Sequence, residues 1–195
     1  MFEAIENNNI KKVQLFVQNT PSLVGEIYHF KPVNISIFYG TPLHYAVKFS
    51  TKDVIKEILK SHNVGINKAD KYGYTPLHLT SESGKMDVVK MLLKVPGIDV
   101  NKVNQDEQTP LHLATISGCN KTVRMLLDIP GIDVNKVDKN GQTPLHLAII
   151  FGCSKIVQML LDVPEIDVNK VDKYGRTVLH LATIFGYKKV GQMLR

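Results

Sequence analysis

The sequence predicts an all-α solenoid of stacked helix-turn-helix units with hairpin-like loops, on three observations. Thr-Pro-Leu-His begins at Thr41, Thr75, Thr109 and Thr143 and returns as Thr-Val-Leu-His at Thr177, 34 residues apart each time. A glycine follows at one offset, at Gly84, Gly118, Gly152 and Gly186. Beyond Gly84, Gly118 and Gly152 comes an amphipathic run and then an extended arm that leads into the next copy. Fixed-period self-similarity marks units that cannot bury an apolar face alone and do so against a neighbour. Function in such a chain is sought on surfaces and not in a central pocket.

Each element follows from local chemistry. Thr supplies a hydroxyl that caps the orphan N–H groups of a helix start, and Pro at the first helical position gives up a donor that had no partner. Leu begins the buried stripe, and His, at the end of the first turn, can bond back toward the cap. In the third copy, Thr109 to Gly118 reads as a short helix ended by a residue that tolerates the left-handed conformation. Cys119 to Asp128 places Val123, Met125, Leu126 and Leu127 on one face of a second helix. Ile129-Pro130-Gly131 breaks it. Ile132 to Gln142 then runs as an extended arm, and Asn140-Gly141 marks its turn.

These residues resemble ankyrin repeats. Tetratricopeptide repeats share the period, but they carry a Trp/Leu-Gly/Tyr pattern and this chain has no Trp. The Thr-Pro-Leu-His-x-Ala signature is present at Thr109 to Ala114 and Thr143 to Ala148, and is weakened at Thr80. The resemblance extends to the glycines above, to Asp-Val-Asn at Asp99, Asp133 and Asp167, and to the Asp-x-x-Gly before the next helix. It covers residues 41–195. It implies units at 41–74, 75–108, 109–142 and 143–176, between an N-terminal capping repeat with an enlarged loop (1–40) and a truncated C-terminal capping repeat (177–195).

At the N-terminus, Ile10, Val13, Leu15 and Phe16 align with the second helix and Asn7-Asn8-Asn9 with the tight turn. At the other end, Gly191 and Arg195 stand where Val157 and Leu161 stand one repeat earlier, which suggests a polar terminal face; a truncated cap and a segment of a longer chain both fit. Compared with the usual 33-residue unit, the extra residue is Pro96, Pro130 or Pro164. Asn63 and Glu165 replace Gly97 and Gly131, so left-handed geometry is expected to be kept at Asn63 and lost at Glu165. Glu107 replaces Gly73, Gly141 and Gly175, so the turn at Asn104 to Glu107 is expected to differ in shape.

Composition excludes several classes. No basic segment precedes an N-terminal apolar run, and no apolar stretch approaches ~20 residues, so membrane insertion is not expected and a cytoplasmic location is, host cytosol included if the chain is an effector. Cys119 and Cys153 lie one period apart, and helices stacked ~8–10 Å from each other hold them beyond disulfide reach. Free thiols are expected, and the acceptor spellings Asn34-Ile-Ser36 and Asn120-Lys-Thr122 are expected to stay unmodified. His112 with Cys119 and His146 with Cys153 could suggest a dyad or zinc ligands, but His44, His78 and His180 occupy the same motif position without a Cys. The histidines are read as structural, with no catalytic residue, cofactor or metal.

The resemblance implies a non-catalytic protein-protein interaction scaffold that binds a partner protein through a concave groove, as a monomer. That groove is lined by hairpin tips and by the two residues before each first-helix glycine: Lys48 and Phe49, Glu82 and Ser83, Ile116 and Ser117, Ile150 and Phe151, Ile184 and Phe185. Ile116, Ile150, Phe151, Ile184 and Phe185 are the expected anchors, flanked by Tyr72, Tyr174 and Arg176 at the tips. In the competing reading Phe151 and Phe185 are core. Lys102, Lys136 and Lys170, continuing the column from Lys68, form a rim able to steer an acidic partner. The net charge of +6 also permits a nucleic-acid reading, which the adjacent Asp column and the lack of an aromatic platform disfavour. The insert bearing Tyr28, Phe30, Phe38 and Tyr39 is the rival surface. An alternative role is the targeting or substrate-recruiting arm of a longer enzyme or of a host-directed effector.

Overall fold

A computed structural model describes residues 1–30, 38–187 and 191. The chain falls into two units, Met1–Thr80 with Lys85–Gln105 and Ser81–Gly84 with Asp106–Arg195. Unit 1 holds α1 (Phe2–Glu6), α2 (Ile10–Asn19), α3 (Pro42–Phe49), α4 (Lys52–Leu59), α6 (Met86–Leu92) and most of α5 (Pro76–Glu82), together with an antiparallel hairpin in which β1 (Tyr28–Phe30) pairs with β2 (Phe38–Gly40). Unit 2 holds α7 (Pro110–Ile116), α8 (Asn120–Leu127), α9 (Pro144–Ile150), α10 (Ser154–Leu161) and α11 (Val178–Ile184).

Within unit 1, α1 packs on α3 and α2 on α4, with α4 on α6; within unit 2, α9 lies between α7 and α11 while α8 packs on α10. First helices therefore stack on first helices and second on second. Leu43, Leu111 and Leu145 are fully buried, as are the second-helix residues Ile58, Leu92, Leu126 and Leu160. Within each unit, the stacked helices bury these side chains against their neighbours.

The recurrent tetrapeptide forms a reciprocal cap. In α3, α7, α9 and α11 the threonine hydroxyl accepts the histidine N–H, and the histidine ring accepts the threonine N–H. Two of the donors that a helix start leaves orphaned are thereby satisfied. At the other end, Gly84, Gly118, Gly152 and Gly186 take φ between +64° and +71°, the left-handed geometry expected of them. In the arm turn, Asp138 Oδ1 accepts from Asn140 N at 2.8 Å and Gln142 N at 2.9 Å, and Asp70 and Asp172 do the same in their own turns.

Four local expectations are corrected. Leu15 does not face the core but is 57% exposed, and Val13 alone of its helix is buried. In α8 the buried set is Thr122, Val123 and Leu126; Met125 and Leu127 lie at the margins. Asn63 is not left-handed, and Gly65, at +62°, takes that role two residues later. Glu107 keeps the shape that glycine has in the other turns, with φ +59°; its neighbour's carbonyl, Asp106 O, accepts Lys139 N just as Asn140 O accepts Lys173 N. Glu165 does lack a positive φ, as expected. The polar face expected at Arg195, and the sequon at Asn34, lie outside the described residues.

Candidate protein-binding surface

The C-terminal ends of α7, α9 and α11 carry an uncharged row within unit 2. Ile116 and Ile150 are half-buried, while Phe151 is 52%, Ile184 62% and Phe185 46% exposed. The two phenylalanines are therefore not core, contrary to the competing reading. Phe151 and Phe185 are the C-cap residues of α9 and α11, one position before a left-handed glycine. The chain turns away there, and a side chain at that point projects beyond the helix packing. The Phe185 ring also stacks on Tyr187, with centroids 6.1 Å apart.

Close packing behind this row holds it in place. A Cβ added to Gly84 would lie 2.7 Å from Cys119 Sγ, one added to Gly118 3.7 Å from Cys153 Sγ, and one added to Gly152 2.9 Å from the Tyr187 hydroxyl. The glycine at each helix end thus receives the residue 35 positions later. Burial pushes both thiols up from their ordinary pKa, so neither is activated as a nucleophile. Among the described residues no group of three or more His, Cys, Asp or Glu is placed to hold a metal ion, and no helix is long and apolar enough to cross a membrane.

The tip residues meet different fates. Tyr174 is 67% exposed, with the Lys173 ammonium 5.1 Å and the Arg176 guanidinium 4.8 Å from its ring centroid. Arg176 is committed elsewhere: its Nε and Nη2 donate to Asp172 Oδ2 at 2.8 and 2.7 Å, and the Asp172 side chain is fully buried. Burial alone would raise the Asp172 pKa, but the Arg176 bonds and the N–H groups of Tyr174 and Arg176 outweigh it and hold the carboxyl below its usual range. Arg176 is thus a partner for a buried charge before it is a surface contact.

Tyr72, in unit 1, is exposed and shares Lys71 with Tyr39, the ammonium lying 4.7 and 3.8 Å from the two rings. The lysine column is uneven. Lys68 and Lys136 are exposed, whereas Lys102 and Lys170 are half-buried. Sequence reasoning overlooked the backbone of the arm turns, whose carbonyls at Tyr74, Gln142 and Arg176 hydrogen-bond the rings of His44, His112 and His146. The 30-residue offset from motif histidine to arm turn was the available signal.

Helix pairs that stack through a repeated capping motif, with variable residues left at helix ends and turn tips, define a repeat scaffold. The sequence model described as ankyrin repeats in three copies matches residues 1–104, 43–138, 96–172 and 129–195, and together these matches span the chain. The chain belongs to the ankyrin-repeat family, whose members are generally protein-protein interaction modules and typically non-catalytic. No curated protein matches it.

Proposed function

We propose that the chain is a protein-binding scaffold, not itself an enzyme, and that its partner seats on the uncharged row of unit 2. The observation that carries this reading is the exposure of Phe151, Ile184 and Phe185 on successive helix ends, with half-buried Ile116 and Ile150 continuing the row. A contiguous exposed apolar patch rimmed by polar groups is a mark of interaction sites, and aromatic anchors are enriched among interface hot spots. Tyr174 supplies an amphipathic ring at the tip, with Arg176 packed on its face. Tyr72 and Lys102, in unit 1, are candidate contacts of that unit taken by itself. Lys136 and Lys170 steer an acidic rim of the partner toward the row. The unit boundaries at 41, 75, 109, 143 and 177, with residues 1–40 as a cap, belong to the same reading, as do a monomeric state and a reducing, cytoplasmic setting that keeps Cys119 and Cys153 as thiols.

The test is affinity capture from a lysate followed by titration of the identified partner. Phe151→Ala with Phe185→Ala weakens binding by more than tenfold, about 1.4 kcal/mol or more, while circular dichroism is unchanged. Undiminished affinity in the folded double mutant moves the site off this row.

A further inference from the structure

The loop after α4 departs from its successors. Val95-Pro96-Gly97, Ile129-Pro130-Gly131 and Val163-Pro164-Glu165 follow the later second helices, whereas the same positions hold Ser61, His62 and Asn63. The segment is instead pinned by the enlarged loop of the first repeat. The Asn63 side-chain amide donates to Ser22 O at 2.8 Å, and a Cβ on Gly65 would lie 2.8 Å from Gly25 O. On the other side, the Asn67 amide donates to Gly97 O at 2.7 Å while its Oδ1 accepts Asp99 N at 2.8 Å. Asn67 thus ties the two loops at one end, and beside that tie they line an open cleft of about 670 Å³, all within unit 1.

Its lining combines two chemistries. Leu59, Val64, Ile66, Val95 and Pro96 give apolar walls. The ionisable lining residues are Lys60, His62 and Lys68, with no carboxylate among them. Lys60 is held by Glu57 at 2.7 Å, so His62 and Lys68, both exposed, set the character of the rim. The cationic excess of the chain also falls in unit 1. The volume lies within the ~300–1,000 Å³ of ordinary ligand sites.

We propose that this cleft binds an acidic peptide segment of a partner protein, placing an aliphatic side chain against Ile66, Val95 and Pro96 and its carboxylates against His62 and Lys68. An extended segment suits this, since alternate side chains recur roughly every 7 Å along one side and those between them point the other way. Nucleic acid fits less well. No Phe, Tyr or Trp lines the cleft to stack a base, and single-strand binding sites combine such stacking with a long cationic track. The site is separate from the uncharged row of unit 2 and stands whether or not that row binds.

The probe is a fluorescein-labelled peptide of alternating Leu and Glu, titrated by anisotropy against the whole protein, with a Leu-Lys peptide and a single-stranded dT oligonucleotide as comparisons. The acidic peptide saturates, weakens as salt is raised, and loses about tenfold or more in affinity in His62→Glu with Lys68→Glu. Phe151→Ala with Phe185→Ala binds it like the parent chain. Should the charge-reversed protein melt early, His62→Gln with Lys68→Gln carries the test and weakens binding in the same direction. Equal affinity in the folded charge variants, equal binding of the Leu-Lys peptide, or tighter binding of the oligonucleotide overturns the proposal.

Discussion

His146 donates its Nε2–H to the backbone carbonyl of Arg176 across 3.1 Å, while its Nδ1 accepts the N–H of Thr143 at 3.3 Å. His44 with Tyr74, at 2.9 Å, and His112 with Gln142, at 3.1 Å, repeat the arrangement. One ring thus closes the cap of its own helix and holds the arm turn that precedes the next. Only the neutral Nε2–H tautomer makes both bonds, since a proton on Nδ1 would face the threonine N–H.

Acid therefore weakens the array through these rings. Burial is the largest influence on His44, His112 and His146, and it pushes each below the ordinary 6.5 despite the carbonyl partners and nearby aspartates that favour the charged form. The unfolded chain then binds protons that the folded chain refuses, so the contribution is fully present above pH 6.5 and is lost as pH falls below it. Urea midpoints are expected to drop as pH falls from 7.5 to 5.5. A flat profile across that window would mean that the fold does not hold these rings neutral.

Leu111 and Leu145 are completely buried in unit 2, where neighbours supply their packing. Leu111→Ala or Leu145→Ala is expected to cost ~2–5 kcal/mol. Hydrogen exchange is expected to quicken in the adjoining repeats as well as in the mutated one; loosening confined to one helix would mean that the leucine does not bridge repeats.

Glu107 holds a backbone conformation that disfavours any Cβ, at φ +59°. Glu107→Gly is expected to stabilise the chain by about 0.5–1 kcal/mol, the relief of left-handed strain less the greater freedom of glycine in the unfolded state. The mirror experiment is Gly141→Ala, where φ is +70° and the new Cβ would meet Lys173 N at 3.0 Å. Its melting temperature is expected to fall.

Thr115 is wholly buried and its hydroxyl has no hydrogen-bond partner among the described residues. One repeat later the same position is Ile149, also wholly buried. Thr115→Val keeps the shape and removes the stranded polar group, so a gain of about 1 kcal/mol in denaturant unfolding is expected. A loss would show that the hydroxyl is satisfied in solution.

The tetrapeptide, the helix-ending glycines and the Asp-bearing turns could be read from the chain alone. Each rests on bonds within about four residues, such as Thr143 to His146 or Asp138 to Gln142, and those bonds recur wherever the spelling does. The candidate anchors were legible in part: their positions came from the family resemblance, but whether Phe151 sat in the core or in solvent depended on how a neighbouring helix crosses it. The same holds for Arg176, a tip residue in sequence that in the fold neutralises the buried Asp172.

Elsewhere tertiary contact overrode local preference. Asn63 lacks the left-handed geometry and Gly65 has it because the inserted loop brings Gly25 against that segment. Glu107 accepts an unfavourable φ in a turn whose Asp106 carbonyl bonds Lys139 of the next turn. The sequence by itself determined the period, the helix starts and the turn chemistry, because these draw on neighbours along the chain. The structure alone decided which marginal residues face solvent and where the cleft opens, because those depend on what a segment thirty or more residues away presses against.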